Sequence, residues 1–264
     1  MNIIIRIAGL PMSFRFSDRQ FAEAVELEYR AFLAESEEPL VCMEVAVSST
    51  HVRDQSGPDV ECRLEGEVMH VSFGRSLEGC ADFASRTGAI RVLRNMKVFD
   101  AGLRILLSHL LLRNDGMLIH GAAIESGRRG YLFYGPSETG KTTISRISAQ
   151  AGKRILTDEL TAVRRIDGRY IIFGTPFWGE FQGESTADGI ELSAMVQPIK
   201  SDRPTVTPSG PADAAHGLLK TIVNFSADAE SNCRALDAVA DLTSSVGSRR
   251  LFFSRTGDFW PELN

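Results

Sequence analysis

Tyr131-Leu-Phe-Tyr-Gly135-Pro136-Ser137-Glu138-Thr139-Gly140-Lys141-Thr142-Thr143 is an apolar strand running into G-x-x-x-x-G-K-T, and an Ala/Ile/Ser-rich helical segment follows it. Strand, glycine-rich turn and helix in that order are the context a phosphate-binding P-loop requires. The glycines let the backbone curl until successive N–H groups face one anion, and the helix adds its positive N-terminal end. Lys141 can then reach β- and γ-phosphates, and Thr142 offers a hydroxyl to Mg²⁺. The bland alternative is a Gly-rich turn capping a helix; the flanking strand and helix argue against it. Residues 135–143 are therefore expected to bind a nucleoside triphosphate or another polyphosphate.

Two neighbouring motifs extend the site. Leu156-Thr-Asp158-Glu159-Leu160 ends an apolar strand in two adjacent acids, one helix and one strand beyond Lys141. Carboxylates there can hold Mg²⁺ or accept a proton from an attacking nucleophile, and strand ends converge on ligand crevices in open α/β sheets. The competing reading is two acids that start a turn. His120, in Leu118-Ile-His120-Gly121, precedes the P-loop within another apolar strand. A lone His in such a strand is more often a satisfied core residue than a catalyst.

Composition narrows the class. The 264 residues, 43% hydrophobic and 24% charged, suit one large domain or two modest ones with ample core. A net charge of −5 with no basic face disfavours nucleic acid and anionic membranes as partners. Cys42, Cys62, Cys80 and Cys233 show no C-x-x-C or Cys/His ligand spacing, so zinc is not expected and a reducing cytosol fits. The start, Met1-Asn-Ile-Ile-Ile-Arg-Ile, lacks the pattern of a signal peptide, and the apolar run at 103–112 is too short to span a bilayer. A cytoplasmic protein is expected.

Patterning predicts strands at Ile3–Ala8, Val41–Val47, Val60–Leu64 and Val68–Phe73, helices at Phe21–Ala34 and Ala101–Arg113, and a domain division near the latter helix. Beyond Met117, strands are expected at Leu118–Glu125, Tyr131–Tyr134 and Arg154–Thr157. A hairpin joins Thr161–Arg165 to Tyr170–Phe173 across Asp167-Gly168. Pro204–Pro211 reads as a mobile loop, Ala212–Phe225 and Asp228–Ser245 as helices, and Arg250–Ser254 as a last strand.

His120-Gly121, then Gly135-Pro-Ser137-Glu138-Thr-Gly140-Lys141-Thr142, then Asp158-Glu159 stand in the order and at the spacing in which this chain resembles the catalytic domain of HPr kinase/phosphorylase and its relatives. The resemblance covers about Met117–Phe181. It implies an α/β fold: a C-terminal P-loop kinase domain of the HPr kinase/phosphoenolpyruvate carboxykinase-like type over 101–264. Residues 1–100 do not share the resemblance; their strand and helix pattern predicts a smaller α+β domain, expected to select the substrate. By the same resemblance, Asp158 takes the proton of the attacking hydroxyl, His120 lies beside the phosphoryl group, and Lys141 stabilises charge. Metal falls to Thr142, Glu159 and Glu180, with Glu184 competing for the last place. The implied cofactors are ATP and Mg²⁺, and a homo-oligomer is compatible with the family.

Three departures qualify what carries over. Glu138 stands where the family's loop has an internal Gly, Glu159 replaces a second Asp, and Gln182 stands where a signature Arg would be. Phosphorolysis needs extra positive charge to bring two anions together, so a forward kinase is expected, unless Lys200 or Arg203 replaces the Arg. HPr is not the expected substrate, because the first hundred residues do not resemble the family's usual N-terminal domain. The expected acceptor is a serine on a small protein or precursor peptide. A small-molecule kinase and a non-catalytic, nucleotide-gated binding module remain open.

Overall fold

The structure is a computed structural model that describes residues 1–49, 60–181, 183–226, 228–255 and 257–263. It is mixed α/β with two sheets, and the chain forms two compact units: Met1–Leu110 with Asn224–Asn232, and Leu111–Val223 with Cys233–Asn264.

In the first unit, β1 (Asn2–Ile7), β2 (Leu10–Phe16), β3 (Val41–Ser48), β4 (Glu61–Glu65), β5 (Val68–Phe73), β6 (Leu77–Asp82) and β7 (Thr87–Leu93) form one sheet in the order β1-β2-β3-β7-β6-β5-β4. Strict alternation in Val41-Cys-Met-Glu-Val-Ala buries Val41, Met43 and Val45 and turns Cys42, Glu44 and Ala46 outward, as a half-buried strand requires. Helix α1 (Arg19–Glu28) and the first part of α2 (Met96–Arg113) supply the core. There the Phe99 ring meets Phe14, Phe16, Phe21 and Tyr29 at 5.3–6.3 Å. The helix expected over Phe21–Ala34 stops at Glu28 and continues only as a 3₁₀ turn, Arg30–Phe32. Past it the chain extends, and Leu33 bridges to Ile5 of the sheet edge.

The second unit carries residues 135–143. Its strands are β8 (Gly116–Ser126), β9 (Arg129–Tyr134), β10 (Arg154–Thr157), β11 (Leu160–Ile166), β12 (Arg169–Phe173), β13 (Gly189–Lys200), β14 (Thr205–Ser209) and β15 (Ser248–Phe253), with helices α3 (Lys141–Gln150), α4 (Pro211–Leu219), α5 (Ala229–Ser245, from Cys233 onward in this unit) and α6 (Trp260–Leu263). β9 and β15 flank β13 and run parallel to it, so all three end on the same side. Period-2 alternation buries both sheet faces. Leu132, Tyr134 and Met195 pack with α4 and α5, whereas Tyr131, Phe133 and Val196 pack with α3 and α6. Strands covered on both faces read as near-continuous apolar runs, as Tyr131–Tyr134 does.

Two expectations are corrected. Pro204–Pro211 is not a loop: Thr205–Ser209 is a strand antiparallel to β15. It lies at the sheet edge, where Pro208 needs no N–H for a ladder. The helix expected through Phe225 ends at Leu219. Thr221–Val223 instead satisfies open backbone groups of β8, through His120 N–H to Thr221 O at 2.7 Å and Val223 N–H to Leu118 O at 2.8 Å. The Asp167-Gly168 hairpin forms as expected, with φ of 49° and 79°, the two positive values a type I′ turn demands. No helix among the described residues is long and apolar enough to cross a membrane.

Candidate functional site

β9 ends at Tyr134 and α3 begins at Lys141, so residues 135–140 form the loop between a parallel strand and a helix N-terminus. Gly140 is the α3 N-cap at φ 105°, and a Cβ there would lie 2.6 Å from Phe253 Cζ. Only glycine satisfies both conditions. Glu138 also takes the left-handed conformation, with φ 68°. That is a conformation glycine adopts more readily than Glu. No side chain caps α3, which leaves its first amides to an anion.

Lys141 is 6% exposed and its Nζ donates to Gly135 O at 2.7 Å and Pro136 O at 3.0 Å. Burial pushes its pKa down to about 8. A phosphate seated in the loop would exchange neutral carbonyl acceptors for anionic ones and restore the ammonium.

The acids arise from strand register. Thr157 pairs with Ala123 of β8, Leu160 pairs with His120, and Gly121 N–H donates to Glu159 O at 2.9 Å. Asp158 and Glu159 thus interrupt one continuous antiparallel strand beside β8, with His120 across from them. Asp158 is 3% exposed, and its oxygens accept from Gly179 N–H at 2.7 Å and Phe181 N–H at 2.9 Å. The segment after β12 is pinned further by Thr157 Oγ1 donating to Phe177 O and by Trp178 Nε1 donating to Ser185 Oγ. His120 is held below its ordinary pKa, first by burial, then by the Lys141 charge, with Asp158 opposing. The imidazole is therefore neutral at neutral pH.

His120, Lys141, Thr142, Asp158, Glu159 and Glu180 all line one cleft of about 1190 Å³, together with Ser137, Glu138, Gly140 and Thr143 of the loop. Gly135, Pro136 and Thr139 are not on the cleft wall. Glu180 also meets Arg146 of α3 at 3.7 Å. Of the two competing acids Glu180 is on the wall and Glu184 is not. Gln182 lies outside the described residues.

The sequence reading passed over most of the opposite wall. Lys200 is the last residue of β13, Ser201 and Asp202 follow it, and Ser254 and Arg255 follow β15. Lys200 pairs in register with Phe253, and Ser201 N–H donates to Phe253 O at 2.8 Å, which brings the two strand ends side by side. Lys200 is on the cleft wall; Arg203, the other candidate cation, is not. A parallel-strand rule, applied to β9, β13 and β15 together, would have found these positions.

Among the described residues, no cluster of three or more His, Cys, Asp or Glu is arranged to hold a metal alone. The donors here are hard oxygens, the Thr142 hydroxyl and the Glu159 carboxylate on one wall. They fit a Mg²⁺ that is held by one or two protein groups plus substrate phosphates rather than by an all-protein cage.

No protein-family model matches the chain, and no curated protein does. Among solved structures it is similar to the HPr(Ser) kinase/phosphatase from Coxiella burnetii, with 10% sequence identity and a TM-score of 0.30. That likeness covers 55% of this chain and 91% of the other.

Proposed function

We propose that this protein is an ATP-dependent kinase of the HPr-kinase-like type that transfers the γ-phosphate to a hydroxyl. The observation that carries the proposal is the convergence of Lys141, His120, Asp158 and Glu159 on one P-loop cleft. The acceptor oxygen forms the new O–P bond as the β,γ-bridging bond breaks and ADP leaves, while the acceptor's proton passes to Asp158. The two amide donors on Asp158 fix its orientation and leave each oxygen a lone pair for that proton. Lys141 and the loop amides stabilise the transferring group, and neutral His120 offers a hydrogen bond without repelling Lys141. Thr142 and Glu159 would be the protein donors to a Mg²⁺ brought with the nucleotide, which would supply charge neutralisation; Glu180 would first have to leave Arg146.

The acceptor in this proposal is a serine of a small protein or precursor peptide, chosen by the first unit, in the cytoplasm. In the same proposal HPr is not the acceptor and reversal by phosphate is weak. A small-molecule hydroxyl is the alternative. A second reading has its own support: a carboxylate holding two loop amides is also what an anchor for a nucleotide-sensing segment needs. Incubation with γ-labelled ATP, Mg²⁺ and a serine-containing peptide library tests transfer. Label on a seryl hydroxyl is expected. Tight ATP binding with no label on any peptide, sugar or alcohol would favour the binding module instead.

A further inference from the structure

The two walls of the cleft differ in chemistry. His120, Asp158 and Glu159 stand where β8 meets the β10–β11 strand; Lys200, Asp202 and Arg255 stand at the ends of β13 and β15. β9, which delivers the P-loop, lies between β8 and β13 in the sheet. From the β10–β11 strand to β15 is four strand spacings, roughly 19 Å at about 4.8 Å each. That span suits an extended nucleoside triphosphate laid across the strand ends with its middle in the loop.

Direction follows from chemistry. The γ-phosphate must face the group that takes the acceptor's proton, so it lies toward Asp158, and the nucleoside extends the other way. Resting on that kinase reading, we infer that the ends of β13 and β15 form the nucleoside end of the site. Lys200 and Arg255 meet the α-phosphate, and Asp202 accepts hydrogen bonds from the ribose hydroxyls.

Pairing supports this assignment. Several arginines of this unit are already tied to carboxylates: Arg154 to Glu125 and Asp188, Arg165 to Asp241, Arg169 to Glu191, and Arg250 to Asp213. Lys200, Asp202 and Arg255 make no ion pair or side-chain hydrogen bond among the described residues, although all three line the cleft. Two cations and a carboxylate that line one cleft at neighbouring strand ends, without pairing one another, suit a ligand that offers both an anion and hydroxyls. The buried Phe253 ring, packed against Gly140, joins this ledge to the P-loop, so the two halves of the ligand site share one rigid contact.

The test compares Mg²⁺-ATP, Mg²⁺-2′-deoxy-ATP and inorganic Mg²⁺-tripolyphosphate by calorimetry on the whole chain. Wild type should prefer ATP to tripolyphosphate, and Asp202→Ala should reduce ATP affinity about tenfold, the loss of one charge-assisted hydrogen bond. The variant should lose discrimination between ATP and its deoxy analogue yet keep wild-type tripolyphosphate affinity, which also reports that it folds. Arg255→Ala should weaken ATP binding by a similar factor. Full retention of the ATP preference in both variants would overturn the inference while leaving the P-loop reading intact. Failure of wild type to bind either ATP or tripolyphosphate would remove the P-loop reading, and the inference with it.

Discussion

The walls of the cleft are built in opposite ways. One comes from a single local stretch, in which an antiparallel strand is interrupted at Asp158-Glu159 beside His120 of β8. The other is assembled from the ends of two parallel strands, β13 and β15, that are far apart in the chain and adjacent only in the sheet. On the first wall Asp158 is buried and held by two amide hydrogen bonds, with His120 and Glu159 half-buried beside it. The second holds exposed charges. Preorganised buried groups are where transition-state charge is stabilised, and exposed groups suit recognition of a ligand that arrives already charged. Changes to the first wall should therefore act on turnover, and changes to the second on affinity.

The largest expected effect is on the first wall. Asp158→Asn should lower phosphoryl transfer by roughly a hundredfold or more while nucleotide still binds, measured as kcat against Kd. The substitution is not neutral for the fold. One of the amides of Gly179 and Phe181 would then face an –NH₂ group, so thermal denaturation should show about 1–3 kcal/mol of lost stability. Equal losses in kcat/KM from raised KM alone would erase the distinction between the walls.

Gly140→Ala strikes the joint between them. The added methyl meets the Phe253 ring at 2.6 Å, at a φ of 105° that L residues rarely adopt. About 1–3 kcal/mol of destabilisation is expected, with loss of nucleotide binding rather than of turnover alone. Melting curves and calorimetry together check this.

Lys141 serves both walls and provides a pH signature. With its pKa at about 8 in the free protein, the ammonium is present below that value and lost above it, whereas bound phosphate raises the pKa again. Affinity should accordingly be flat below about pH 7 and fall as pH rises through 8. Binding near pH 8 should take up a fraction of a proton, seen as a dependence of the calorimetric heat on buffer ionisation enthalpy. Proton release, or affinity that rises with pH, would contradict the burial account.

The smallest effect concerns Glu138. Its left-handed φ of 68° costs a non-glycine residue roughly 1–2 kcal/mol, against about 0.5–1 kcal/mol of backbone entropy that glycine loses on folding. Glu138→Gly should raise Tm by about 2 °C with binding retained. A lower Tm would mean that the Glu138 side chain itself supports the loop.

These contrasts explain what was legible in the sequence. The P-loop, His120 and the acid pair are local motifs in which spacing translates directly into strand–turn–helix geometry, and the Asp167-Gly168 hairpin was readable for the same reason. The P-loop strand carried a second signal, an unbroken apolar run that follows from burial on both faces. Lys200, Asp202 and Arg255 carry no local pattern, because only the parallel pairing of β13 with β15 makes them neighbours. β14 was misread because Pro208 signals a loop unless the strand is known to lie at an edge. The segment after α4 was misread because the open backbone of β8, and not its own periodicity, decides its conformation.

The most direct test of the central claim is calorimetric titration of Mg²⁺ with a non-hydrolysable ATP analogue into wild type and Lys141→Ala. Wild type should bind, and the variant should bind at least about a hundredfold more weakly, since no other cation of the loop can reach the same phosphates. Unchanged affinity in Lys141→Ala would show that residues 135–143 do not hold the polyphosphate.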